Sequence, residues 1–218
     1  DVLHVLSGLN HVQLTGLHFH IGSQITDLNA FKGLCLRVNE IQQWFIERGI
    51  IVNHLNMGGG LGIDYSTMES SGYPSYESFF SIFHRHLQPR PSQQVHFELG
   101  RALVAYCGHL ITRVLFIKNG INTNFAIVDA GMTELIRPAL YQSVHPIENV
   151  SKSGQPQKVK YDVVGPVCES SDCFGKQISL PETERGDLID IGLTGAYGEA
   201  MVSEYNLRGR VKAVYSLG

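Results

Sequence analysis

An apolar stretch, His54-Leu-Asn-Met-Gly-Gly-Gly-Leu-Gly62, runs into three consecutive glycines, and no other feature constrains the fold of this chain as strongly. Glycine loses more backbone freedom on folding than any other residue. Three in a row must therefore answer to a positive φ or to a backbone that passes very close to something. One reading is a tight turn without a ligand. The other is an anion cradle, in which N–H groups unobstructed by side chains converge on a phosphate and a following helix adds its dipole.

Around this run the first hundred residues repeat one plan. Residues 2–9 read as the tail of a helix and residues 13–21 as a largely apolar strand ending at Gly22. Thr26 or Asp27 can cap a helix in which Phe31, Leu34, Val38, Ile41 and Phe45 recur at steps of three and four, and Gly49 stops it. Residues 50–57 are apolar enough for a strand buried on both faces, residues 76–87 predict a second helix, and residues 95–99 a third strand. Strand, helix, strand, helix, strand predicts a parallel sheet. Gly22, Gly58 and Gly100 each follow a strand, and polar residues gather at the strand C-terminal ends, where barrel enzymes place their chemistry. A closed barrel takes eight such units and roughly 250 residues. The expectation is therefore the later part of a (β/α)8 barrel within a longer enzyme.

After Arg101 the texture changes. Residues 102–117 are β-rich, Asn119 and Gly120 make a turn, and strands are expected at 124–129, 160–164 and 187–191, with a polar loop at 151–157. The predicted fold class is α/β plus β: residues 1–101 carry the last strands of a barrel, and residues 102–218 form an all-β C-terminal domain.

Composition excludes several classes. A net charge of -3 gives no basic face for nucleic acid. No apolar run approaches the roughly 18 residues of a membrane span. The opening residues read as mid-pattern, so no leader peptide is expected. Cys35, Cys107, Cys168 and Cys173 contain no Cys-x-x-Cys pair, which points away from a zinc knuckle or a disulfide framework and toward a reducing, cytoplasmic home.

Several residues could carry chemistry. His18 and His20 alternate on one face of a strand end, which suits two ligands of a metal ion; alternatively an imidazole there packs flat on an aromatic ligand. Further metal ligands are not evident, so no metal is expected. Glu98 and Arg101 close the third strand: they could be a surface ion pair, or an acid that holds a ring nitrogen protonated beside an arginine that grips an anion. Cys168 could be an inert core thiol, but it precedes Glu-Ser-Ser-Asp at an expected strand end.

Six motifs stand in one order: Leu17-His-Phe-His-Ile-Gly-Ser23, Asn56-Met-Gly-Gly-Gly-Leu-Gly62, Phe97-Glu-Leu-Gly-Arg101, Arg137-Pro-Ala-Leu-Tyr141, Gly165-Pro-Val-Cys-Glu-Ser-Ser-Asp172 and Gly195-Ala-Tyr-Gly198. In this the chain resembles the fold-type III pyridoxal-phosphate decarboxylases, in particular those that act on diaminopimelate. The resemblance implies pyridoxal 5'-phosphate as cofactor. His20 would stack on its ring and count among the catalytic residues, and Ser23, Gly58, Gly59, Gly60 and Tyr197 would hold its phosphate. Glu98 would pair with the ring nitrogen. Arg101, Arg137 and Tyr141 would bind substrate carboxylate and nearby oxygens, and Glu169 the distal amino end. Cys168 would donate a proton, with Cys168 and Glu169 entering the active site of the other subunit of a homodimer. The implied reaction converts meso-2,6-diaminopimelate to L-lysine.

The sequence also departs from that family. The lysine that holds the cofactor covalently has no counterpart here, since Lys32 falls on a predicted helix and the others lie beyond Arg101. Leu99 stands where the family usually has proline, and the tail after Asn206 differs from the usual proline-rich ending. A decarboxylase of ornithine, arginine or carboxynorspermidine, or a non-catalytic homologue, are the alternative readings. Intact Cys168, Glu169 and Arg137 favour a catalytic parent.

Overall fold

Apolar residues at helical spacing and short parallel strands build the first of two units into which the chain divides, residues 2–63 and 74–102. The computed structural model describes residues 2–68 and 74–216. After a short helix α1 (Val2–Ser7) come β1 (Gly16–His18), α2 (Asn29–Ile46), β2 (His54–Asn56), α3 (Tyr76–His86) and β3 (Gln94–His96). The three strands pair in parallel in the order β1-β2-β3, with His18 opposite Asn56 and Asn56 opposite His96. This is the alternating plan expected from the sequence.

Each strand is shorter than the apolar run that predicts it. Leu55 is buried while His54 and Asn56 on the opposite face are half-buried and Ile51 is exposed, so β2 is not buried on both faces. Asp27 starts α2 by accepting the Asn29 N–H (3.0 Å), and Gly49 follows its end with a φ of +71°. The buried stripe of α2 runs Phe31, Leu34, Cys35, Val38, Gln42; the step of four from Val38 to Gln42 leaves Ile41 and Phe45 on its margin. Ser75 caps α3 by accepting the Ser78 N–H. Phe79 and Phe83 of α3 close on Phe31 and Phe97, with Phe31 and Phe79 4.9 Å apart edge to face and Phe83 and Phe97 4.8 Å apart.

The second unit comprises residues 64–68 and 103–216 among those described. Its strands are β4 (Leu110–Asn119), β5 (Asn124–Val128), β6 (Ile147–Asn149), β7 (Val159–Val164), β8 (Cys173–Leu180) and β9 (Leu188–Ile191), in the order β6-β9-β4-β5-β7-β8. Only β5 and β7 pair in parallel. Long β4 serves both halves of the sheet: residues 110–113 pair with β9, and the stretch from Val114 to Asn119 pairs with β5 across a register shift. Ile147 of β6 approaches Gly175 of β8, so the sheet is nearly closed. Val114, Ala126, Val128, Tyr161, Val163, Phe174, Leu180, Ile189 and Ile191 fill its core.

Two expectations for this half are corrected. Residues 101–107 are helical, a short α4 (Arg101–Val104) followed by a 3-10 turn, and the β-rich run begins only at Leu110. A five-residue helix α5 (Arg137–Tyr141), with proline in its first turn and Gln142 in the left-handed region at its end, interrupts the strands; it is too short to give a helical period. Strand β8 was not anticipated. No helix among the described residues is long and apolar enough to cross a membrane.

Ile189 is fully buried in this core and Ile121 fully exposed. Ile189→Ala is expected to destabilise the unit by about 2–5 kcal/mol, and Ile121→Ala to stay within about 0.5 kcal/mol, in urea denaturation followed by circular dichroism. Equal effects would contradict this core assignment.

Candidate active-site residues

In the first unit the backbone ladder continues past the formal strand ends. Phe19 N–H donates to Asn56 O, Met57 N–H to His96 O, Glu98 N–H to Gly58 O and Ile25 N–H to Gly60 O. These bonds draw three connecting segments side by side, and the glycines permit it. A Cβ on Gly58 would collide with the Phe19 carbonyl, one on Gly59 with the Glu98 carbonyl, and one on Gly60 with the Gly22 carbonyl; Gly58 and Gly60 also have positive φ. The close approach inferred from the run is thus made, on both sides, by the protein's own backbone.

Around this seam the predicted residues converge. His20 Nδ1 accepts a long bond (3.4 Å) from Gly59 N–H, and Asn56 Oδ1 accepts from Gly58 N–H (2.9 Å). Asn56 Nδ2 donates to Glu98 Oε1 (2.8 Å), and His18 Nε2 lies 3.1 Å from Glu98 Oε2. The Asn56 bond, followed by that from His18, holds the Glu98 carboxyl below the usual carboxylate range. Glu98 is therefore an ionised acid with half its side chain open. Arg101 Nη2 donates to Ser23 Oγ (3.2 Å), which brings arginine and serine to one end of the group. His18 thus pairs with an acid, and no three His, Cys, Asp or Glu side chains among the described residues could hold a metal.

In the second unit Arg137, at the start of α5, is only 4% exposed and donates to His145 Nε2 (2.9 Å), with its guanidinium 5.0 Å from the Tyr65 ring. Arginine only donates, so His145 Nε2 is a bare acceptor and its Nδ1–H donates to Gly192 O (2.9 Å). Tyr141, at the other end of α5, is exposed. Cys168 and Glu169 lie in the loop between β7 and β8, both exposed, with Cys168 in a bend and not in a strand. That loop is stapled by buried Asp172, whose carboxylate accepts from Val167 N–H (2.7 Å) and Met132 N–H (2.6 Å). Burial pushes the Asp172 carboxyl up, and the two amide bonds oppose the rise. Tyr197 has a φ of +62°, in a motif whose Gly195 abuts the Val104 carbonyl. Sequence reading did not single out Asn56 as a partner of Glu98, nor His145, Tyr65 or Tyr205, whose hydroxyl donates to Glu169 Oε1 (2.7 Å). No periodic signal marks such long-range pairs.

The donor set of the first unit suits a charged heteroaromatic ring carrying a phosphate: an ionised acid, an imidazole over a glycine seam, and a serine with an arginine. Residues 18–195 match the family described as pyridoxal-dependent decarboxylase, C-terminal sheet domain, and the chain belongs to it. The cofactor of that family is pyridoxal 5'-phosphate, which the donor set fits. Among its relatives, diaminopimelate decarboxylase of Bacteroides thetaiotaomicron is 53% identical over 95% of this chain and 53% of its own length, and that of Haemophilus influenzae 40% identical over 98% and 51%. A structure of diaminopimelate decarboxylase from Helicobacter pylori complexed with L-lysine superposes with a TM-score of 0.78 at 40% identity, covering 88% of this chain and 46% of that one. A lysine/ornithine decarboxylase from Vibrio vulnificus, complexed with cadaverine, shares the fold with a TM-score of 0.87 at 21% identity, covering 100% and 58%. The chain spans about half the length of the curated relatives it matches.

Asn56→Ala removes the donor that contributes most to the depressed Glu98 titration. Glu98 in this variant is expected to titrate at higher pH than in the parent, measured by carbon-detected NMR of labelled glutamate. The sign is fixed by the depression: the stabilisation from these bonds is present above the ordinary carboxylate range and is lost as pH falls. An unmoved titration would show that the Asn56 bond does not depress the titration of Glu98.

Proposed function

We propose that the intact protein decarboxylates meso-2,6-diaminopimelate to L-lysine with pyridoxal 5'-phosphate, as a cytoplasmic homodimer whose subunits share each active site. The observation that carries this reading is the Glu98 carboxylate, hydrogen-bonded by Asn56 and His18 beside the glycine seam. When bound, the cofactor supplies a sink for the electrons left by departing carbon dioxide. Glu98 holds a proton on the ring nitrogen and so keeps that sink cationic. His20 would face the ring, and Ser23, Gly58, Gly59, Gly60 and Tyr197 would hold the phosphate.

Arg101, Arg137 and Tyr141 are assigned to substrate carboxylates and neighbouring oxygens. In diaminopimelate one carboxylate departs and one stays, which gives two arginines separate partners. Buried Arg137 is kept in one orientation by His145, which suits a fixed carboxylate receptor. Glu169 receives the distal ammonium, and the exposed Cys168 thiol gives a proton to the carbon that has lost carbon dioxide. The first unit contains one lysine, Lys32 on α2. The lysine that bonds the cofactor is therefore assigned to the part of the relatives' length that this chain does not span. The resemblance of 53% to the Bacteroides enzyme supports diaminopimelate over ornithine, arginine or carboxynorspermidine.

Carbon dioxide release from meso-diaminopimelate by the intact protein, with negligible release from ornithine and arginine, is the expected result; the reverse preference, or none, contradicts the assignment. Cys168→Ala is expected to lower kcat by about 10²–10⁴. Mixing Cys168→Ala subunits with Glu98→Ala subunits should restore measurable activity, because a hybrid dimer carries one complete site. Absence of recovery after verified subunit exchange would contradict a shared site.

A further inference from the structure

Two consecutive residues of the second unit, Asn206 and Leu207, both hold φ of +57°, the left-handed region that side chains disfavour. Burial does not explain this, since Leu207 is 98% exposed. Such a conformation persists only where its surroundings over-determine it. Here polar ties grip the turn from either side. Arg208 donates to Asp129 O (2.6 Å) and Thr133 Oγ1 (3.0 Å) and lies 3.4 Å from Glu134, while the Tyr205 hydroxyl donates to Glu169 Oε1 (2.7 Å). Tyr205 is itself 49% exposed, and its hydroxyl bond to Glu169 is a specific contact with the loop.

We propose that Tyr205 is the positioning residue for Glu169, fixing one rotamer of an otherwise exposed carboxylate so that its second oxygen faces the distal ammonium of the substrate. This rests on the assignment of Glu169 to that ammonium. A free glutamate side chain loses rotamer freedom when it captures a cation, and a hydroxyl that holds it beforehand removes that cost. The left-handed turn follows Tyr205 directly, and Arg208 anchors it to the 129–134 segment that leads to Arg137. Asp172 ties the Glu169 loop to the same segment through Met132 N–H. The Glu169 loop and the segment that leads to Arg137 are thus braced against one stretch of backbone within a subunit.

The test is a double-mutant cycle in the intact protein with Tyr205→Phe, Glu169→Gln and both together. The readouts are KM and kcat for meso-diaminopimelate, the Kd of L-lysine by calorimetry, and Tm. Tyr205→Phe is expected to raise KM and weaken L-lysine binding about tenfold with kcat within about twofold, the scale of one hydrogen bond to a charged group. Tm should change little, because the Arg208 ties to the turn remain. In the Glu169→Gln background the same change should have no further effect. Loss with Glu169→Gln but none with Tyr205→Phe, or fully additive losses, overturns the positioning role and leaves the Glu169 assignment standing. No loss with Glu169→Gln overturns that assignment, and the positioning role with it.

Discussion

Backbone packed on backbone, with no space for a Cβ, is the constraint on which the first unit depends. Gly58, Gly59 and Gly60 touch carbonyls of Phe19, Glu98 and Gly22, from the segments that leave β1 and β3. Only at that separation can Asn56 of β2 reach Glu98 beyond β3, and Glu98 reach His18 of β1. The hydrogen bonds of the acid therefore depend on the glycines: replace one, and the three segments must part before any side chain is altered. Parallel strands supply the direction, since their C-terminal ends all face the same way.

The second unit solves a different problem, that of holding loops in place at the ends of antiparallel strands. Its device is the buried carboxylate bonded to backbone N–H groups. Asp172 accepts from Val167 and Met132, and Glu134 accepts from Gly131 N–H and Thr133 before meeting Arg208. A carboxylate can take several such bonds at once, so it ties segments distant in sequence. Removing it would leave buried donors unmet, which costs more than the bond itself contributes.

Much of this was legible in the residues. The steps of three and four in α2 and the glycine-marked strand ends led to the order of elements, and the fold class they define is the one observed. What was not legible has physical causes. A helix of five residues such as α5 has no period to read. Strand lengths were overestimated because apolar runs extend into the connecting segments, where residues such as Ile51 face solvent. The pairs Tyr205–Glu169, Arg137–His145 and Asn56–Glu98 join residues whose proximity only the folded chain creates. Residues 64–68 belong with the second unit although the polar loop that holds them precedes α3. The resemblance found Arg137 and Glu169 as residues; their settings, one buried against an imidazole and the other held by a phenol, came from the structure.

The most direct test of the central claim is a crystal structure of the intact protein with pyridoxal 5'-phosphate bound. The account predicts the ring nitrogen within hydrogen-bond distance of the Glu98 carboxylate, the phosphate on Ser23 and the Gly58 to Gly60 seam, and the Asn56 and His18 bonds to Glu98 retained. A ring nitrogen facing any other group, or a phosphate held away from the glycines, would contradict it.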